Sequence, residues 1–290
     1  MVGGAQRRMP YSVREAIMHV PAFILAQMAR YFAQEAFAAY GKLPEWFHLQ
    51  AVVEDWWKGY RQLFPCRKHV GLVVVAVLHP VERRWLNVVL RGLPFGLGAA
   101  VNQFNRAPAV LTAAARRILF IMCAHYVDDN GILELTGLHG DGPAAFQRLC
   151  RLAGAHLPAK KRKPETAMPV LLRALTDLAS IINDCAVAYG PKPGAREAFE
   201  KEMALVWERG ELTSGQASHL RVVLSWLDSS CIGRLCRAAL SALVARQYYD
   251  GTTAIPERSN LHASRRYLQA AVRYAPATPL PLLAPPRRPI

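Results

Sequence analysis

Two adjacent carboxylates, Asp128 and Asp129, stand between two short apolar runs, residues 118–123 and 132–135, with Asn130 and Gly131 following them. Short apolar runs separated by turn-forming residues predict a β-hairpin, and the spacing puts the turn at Asp129, Asn130 and Gly131, with both acids at the tip. Clustered carboxylates repel one another and resist burial, so such a tip is either solvated or built around a cation.

Elsewhere the chain alternates between periods of two and 3.6. Residues 11–41 carry Ile17, Val20, Phe23, Ile24, Met28, Phe32 and Phe37 at helical spacing, and Pro21 predicts a break into two helices. A strand is expected near residues 50–57. The β-branched run 72–78, the turn His79-Pro80-Val81-Glu82 and the run 85–90 predict a second hairpin. Helices are expected over 102–122 and 141–155, whereas 169–188 fits helix and strand equally. Gly190-Pro191-Lys192-Pro193-Gly194 has the composition of a linker, with helices at 197–209 and 214–247 beyond it. Hairpins outnumber crossovers in the first part. The expected fold is therefore α+β, with an antiparallel sheet packed on helices, followed by an all-helical region.

A chain of 290 residues with 52% hydrophobic content can bury a substantial core. Its net charge of +15 points to a polyanionic partner, nucleic acid first. Six dispersed cysteines without a Cys-x-x-Cys pair argue against a zinc site and for buried, reduced thiols. The N-terminal residues lack a signal-peptide layout, and strictly apolar runs such as 72–78 are too short to span a bilayer. No membrane partner and an intracellular location (cytoplasm or nucleus) are expected.

Three blocks occur in a fixed order. The first is Asp55-Trp56-Trp57-Lys58-Gly59-Tyr60-Arg61-Gln62. The second is Leu93-Pro94-Phe95-Gly96-Leu97, followed by Asn102, Phe104, Asn105 and Arg106. The third is Tyr126-Val127-Asp128-Asp129. Leu93 lies 38 residues after Asp55, and Asp128 lies 73 after it. Together the blocks resemble the palm of a retroelement reverse transcriptase, an RNA-directed DNA polymerase, over roughly residues 45–165.

The resemblance implies a division into four parts. Residues 1–50 would be a truncated, helical fingers-like segment and 51–165 the catalytic palm. Residues 166–250 would be a helical thumb- or connection-like region, with Arg221, Arg234, Arg237 and Arg246 on a backbone-tracking face, and 251–290 a basic, proline-rich tail. The implied reaction is template-directed addition of dNTPs to a primer 3′-end on an RNA or DNA template. Asp55, Asp128 and Asp129 would be the catalytic acids and the ligands of two Mg²⁺ ions, with Mn²⁺ as a substitute. Tyr60 would exclude a 2′-hydroxyl, Pro94, Phe95 and Gly96 would approach the nascent base pair, and Tyr126 would lie near the primer terminus. Lys161, chosen among Lys160, Lys161 and Lys163, would meet the leaving pyrophosphate. Arg106 would face template or triphosphate, and His125 is expected to be a packing residue. A nucleic-acid-binding relic of such a polymerase, without catalysis, is the alternative.

Overall fold

The computed structural model describes residues 11–94, 98–171, 174–229, 237–248, 251–274 and 278–282. The fold is α+β with antiparallel sheets, and the chain divides into two compact units, one centred on Ala51–Glu165 and one made of Glu15–Gln50 and Thr166–Ile290.

The first unit is built on three strands in the order β1-β5-β4, where β1 is Leu49–Asp55, β4 Met122–Tyr126 and β5 Asp129–Leu135. Between β1 and β4 the chain forms the hairpin β2 (Val74–Leu78) and β3 (Trp85–Val89), then the helix α2 (Gly98–Ile118). A further helix, α3 (Asp141–Leu152), follows β5. Cys123 and Ile132 are cross-strand partners and therefore share a face of the sheet. They are buried with Phe104, Leu111 and Ala115 of α2 and Phe146 and Cys150 of α3, so both helices cover that face. The residues α2 buries, from Ala100 through Phe104, Pro108 and Leu111 to Ala115, recur every three to four positions and form one stripe. Helix α3 starts under Glu134, a buried carboxylate of β5 that accepts the main-chain N–H groups of Gly140 (2.9 Å) and Gly142 (3.1 Å). A negative charge at a helix N-terminus meets donors that the helix leaves unpaired.

In the second unit, β6 (Val170–Leu171), β7 (Ala174–Asp177), β8 (Ala186–Pro191) and β9 (Thr278–Pro281) form an antiparallel sheet in sequence order, with the short helix α4 (Ser180–Asp184) between β7 and β8. Pro279 and Pro281 lack N–H donors, which confines β9 to the edge. Gln34 of α1 (Tyr11–Tyr40) and Arg30 from the same helix donate side-chain hydrogen bonds to the carbonyls of Leu282 and Pro281, holding that edge. Helices α5 (Ala195–Arg209), α6 (Ser214–Ser229), α7 (Arg237–Gln247) and α8 (Asn260–Tyr274) enclose a separate core that includes Phe199, Met203, Leu220, Leu243 and Leu268.

Several expectations are corrected. Helix α1 runs through Pro21 without a break. The turn of the acidic hairpin is Val127-Asp128, since Tyr126 pairs with Asp129 and Ala124 with Gly131. Residues 118–121 end α2 and lead into the strand rather than belonging to it. The region beyond residue 165 is not all helical, and Gly190 and Pro191 are strand residues paired with Leu175 and Ala174, not a linker. Residues 251–290 include α8 and β9, so they are not simply a tail. Cys123 and Cys150 are free and buried as expected, whereas Cys66 and Cys185 are exposed. No helix among the described residues is long and apolar enough to cross a membrane.

Candidate active site

Asp55 is the last residue of β1, Asp128 lies in the β4–β5 turn, and Asp129 opens β5. One main-chain bond joins these places. The N–H of Trp56, the residue after Asp55, donates to the carbonyl of Asp128 at 3.1 Å. The side-chain amide of Asn130 donates to the same oxygen at 3.4 Å. The turn is tight and strained: Val127 has φ of 53°, a left-handed conformation in which a β-branched residue costs about 1–3 kcal/mol.

The three carboxylates share one electrostatic environment. Burial raises the Asp128 carboxyl above its ordinary range, and Asp55 adds to this by repulsion. Burial, then Asp128, then Asp55 push Asp129 up to about 6, against the partial relief of Lys163 and Lys161. Lys161, at the end of the short turn Ala159–Lys161, donates from Nζ to Asp55 Oδ2 at 3.0 Å. The other oxygen, Oδ1, is buried without a hydrogen-bond partner.

The sign of the Asp129 shift gives a test. Between 3.8 and about 6 the folded chain retains a proton that the unfolded chain has released. The contribution of this residue to stability therefore falls as pH rises through that window and stays low above it. Asp129→Asn should stabilise the metal-free chain at about pH 7.5 relative to wild type and have little effect at about pH 4, measured by denaturant unfolding at both values. An equal difference at the two pH values would contradict the shift.

Tyr60 lies in the 3₁₀ turn Gly59–Gln62, which follows Lys58 in a left-handed conformation (φ 50°). Its ring stacks on Phe104 (centroids 4.8 Å apart, planes 22° apart), and Trp56 meets the same phenylalanine edge-on at 5.4 Å. Gly59 is required here, because a Cβ would lie 2.8 Å from Phe104 Cζ. Burial raises the Tyr60 hydroxyl, and Asp128 raises it further, so the phenol stays protonated next to the acids. Burial also raises Tyr126, the last residue of β4, with Tyr60 and Asp128 adding to the effect. Leu93 donates its N–H to the carbonyls of Tyr60 (3.1 Å) and Leu63 (3.0 Å), and Gly92 lies directly against the Arg61 backbone. These contacts bring Pro94 to the Tyr60 turn. Phe95 and Gly96 lie outside the described residues.

Arg106 is not brought into the site. It stands two positions after Phe104, about 200° around α2. It is exposed and bonds Gln103 on its own helix. Arg246 is likewise committed elsewhere, donating to the carbonyls of Leu212 and Thr252, each at 2.8 Å. Arg234 and the side chain of Arg237 lie outside the description. His125 is half-buried, and burial followed by the nearby Arg116 lowers its imidazole pKa, which suits a neutral packing residue.

Sequence reasoning overlooked Glu54, whose side chain is fully buried beside Asp55 and accepts a hydrogen bond from Gln147 at 2.7 Å. The signal was an acid directly after the apolar run 51–53, in a strand whose burial continues on both faces through Glu54. It also missed the clip in which Gln62 bonds the main chain of His156 in both directions (3.0 and 2.8 Å), tying the Tyr60 turn to the segment leading to Lys161.

No family model and no curated protein matches this chain. Among solved structures it is similar to a foamy viral protease–reverse transcriptase in complex with double-stranded DNA, at a TM-score of 0.54 and 12% identity over 79% of this chain and 36% of that one. It is also similar to a foamy viral protease–reverse transcriptase in complex with an RNA/DNA hybrid, at 0.52 and 11% over 78% and 27%. The chain thus spans roughly a third of the length of these structures. At such identity the likeness concerns the fold alone, which is α+β and reverse-transcriptase-like.

Proposed function

We propose that the chain is an RNA-directed DNA polymerase of a retrotransposon-like element, adding dNTPs to a primer 3′-end on an RNA or DNA template. The observation that carries the reading is the union of Asp55, Asp128 and Asp129 in one cluster, with the Trp56–Asp128 bond joining strand end and turn. The reverse-transcriptase-like fold and the +15 charge support it.

The chemistry of these donors suits Mg²⁺, two ions in the proposed reaction, with Mn²⁺ as a substitute. Carboxylates are hard oxygen ligands, Asp55 Oδ1 is a buried oxygen without a partner, and the mutual repulsion of the acids is what a cation relieves. Among the described residues no group of three His, Cys, Asp or Glu side chains is placed to hold a metal ion, so protein carboxylates would supply only part of each shell. Mg²⁺ ordinarily takes one or two carboxylates and completes its shell with water and substrate phosphate. Asp55 and Asp128 would hold the ions and Asp129 would support them. When bound, the ions supply activation of the primer hydroxyl and neutralisation of the triphosphate.

The chain's own groups do the rest. Tyr60, fixed on Phe104, presents a protonated phenol edge where the sugar would lie and excludes a 2′-hydroxyl. Tyr60→Ala should raise rNTP incorporation relative to dNTP by about tenfold or more, read from competitive single-nucleotide incorporation; an unchanged ratio would remove the gate role. Lys161, released from Asp55 as substrate enters, would meet the leaving pyrophosphate. Pro94, with Phe95 and Gly96, would border the nascent base pair, and Tyr126 the primer terminus.

A second reading, a nucleic-acid-binding relic without catalysis, is favoured by the Lys161 ammonium bonded to Asp55, where a metal would sit. Primer extension on an RNA template with dNTPs and Mg²⁺ separates the two. Extension supports the polymerase, and tight template binding without extension supports the relic.

A further inference from the structure

The segment after α3 meets the end of β1 in an antiparallel sense, through side-chain contacts and one main-chain bond. Lys161 bonds Asp55 at 3.0 Å, Arg162 Nε lies 3.4 Å from Glu54 Oε1, and the Lys163 N–H donates to the Val53 carbonyl at 3.1 Å. Each step forward in one segment is a step back in the other. Along β1 consecutive residues face opposite ways, so Lys161, the last residue of its 3₁₀ turn, meets Asp55 on one side and the extended Arg162 meets Glu54 on the other. Residues 160–163 are all basic, so attraction to Asp55 cannot by itself select which of them arrives. A slip of one residue against β1 would set a different basic side chain at each acid.

Only the buried side discriminates. The Glu54 side chain has no solvent exposure, takes one hydrogen bond from Gln147, and keeps Oε2 without a hydrogen-bond partner. Burial raises the Glu54 carboxyl, which the Gln147 hydrogen bond and then the Arg162 charge oppose, and a guanidinium, weakly hydrated and planar, suits a buried pair better than an ammonium. Among residues 160–163 only Arg162 offers one. Its side chain is 28% exposed and also bonds Glu165 at 3.1 Å.

We propose that the Glu54–Arg162 pair is a register lock that sets Lys161 over Asp55, and that Glu54 is thereby a positioning residue for the polymerase site. Its catalytic part rests on the polymerase reading. The test is Glu54→Gln, alone and with Lys161→Ala, with Arg162→Gln carrying the same comparison should the first variant not fold. Glu54→Gln is expected to lower kcat about tenfold through misplacement of the lysine. In the Lys161→Ala background the same change should cost less than about twofold, since the residue it positions is gone. The Lys163 amide, read by NMR hydrogen exchange, should exchange about tenfold faster in Glu54→Gln than in wild type. An undiminished loss in the Lys161→Ala background, or unchanged protection of that amide, would overturn the lock. A wild-type chain that extends no primer would overturn the polymerase reading, and the amide measurement then decides the lock by itself.

Discussion

Asp128→Asn should reduce nucleotide incorporation by about 10³-fold or more while leaving template–primer affinity within about threefold of wild type. The two effects separate because they rest on different parts of the molecule. The substitution keeps size and shape, and the Asp128 carbonyl that anchors the turn to Trp56 is main chain and persists. What disappears is one charge from a cluster of three, and with it a ligand for the proposed cation. Affinity depends on a net charge of +15 spread along the chain, to which one lost carboxylate adds little. The variant should fold at least as well as wild type, since burial and Asp55 already disfavour the Asp128 charge. Extension assays beside fluorescence-anisotropy binding check both halves. Activity within threefold of wild type would end the metal assignment.

Phe104→Ala should cost about 3–5 kcal/mol of unfolding free energy, among the largest effects expected of any single truncation here. Phe104 is fully buried, takes Trp56 on its edge and Tyr60 on its face, and fills the space that Gly59 leaves open. Removing it deletes two aromatic contacts and leaves a cavity between α2 and the Asp55 end of β1. Phe104→Leu, which keeps much of the volume, should cost less. Where Phe104→Ala still folds, Tyr60 loses its platform, so discrimination between dNTP and rNTP should weaken along with stability. Urea unfolding provides the measurement. A loss below about 1 kcal/mol would show that the ring is not the support the packing indicates.

Much of the first unit was legible in the sequence. The runs 72–78 and 85–90 predicted a hairpin because apolar, β-branched runs on either side of a proline-containing turn have few other options. The acidic hairpin was legible as a hairpin but not in register. Asn130-Gly131 is good turn chemistry, and a turn over residues 129–131 would set Cys123 opposite Gly137. Packing overrode it: with the turn at Val127-Asp128, Cys123 faces Ile132 and both enter the core under α2 and α3, at the cost of a strained Val127. Strands of two to six residues in the second unit, two of them containing proline, carry too little pattern to be read, and only their pairing makes them strands.

By itself the sequence determined the composition of the candidate site: three acids, a tyrosine and a basic run, in an order and spacing that resemble those of one family, because residue types and separations along a chain are local properties. Tertiary structure alone decided which of the named groups meet. It brought Lys161 rather than Lys160 to Asp55, turned Arg106 away on the far side of α2, and spent Arg246 on main-chain carbonyls. It also buried Glu54, which the motifs had passed over. Facing depends on register and helical phase, and these are set by which side chains the core must enclose.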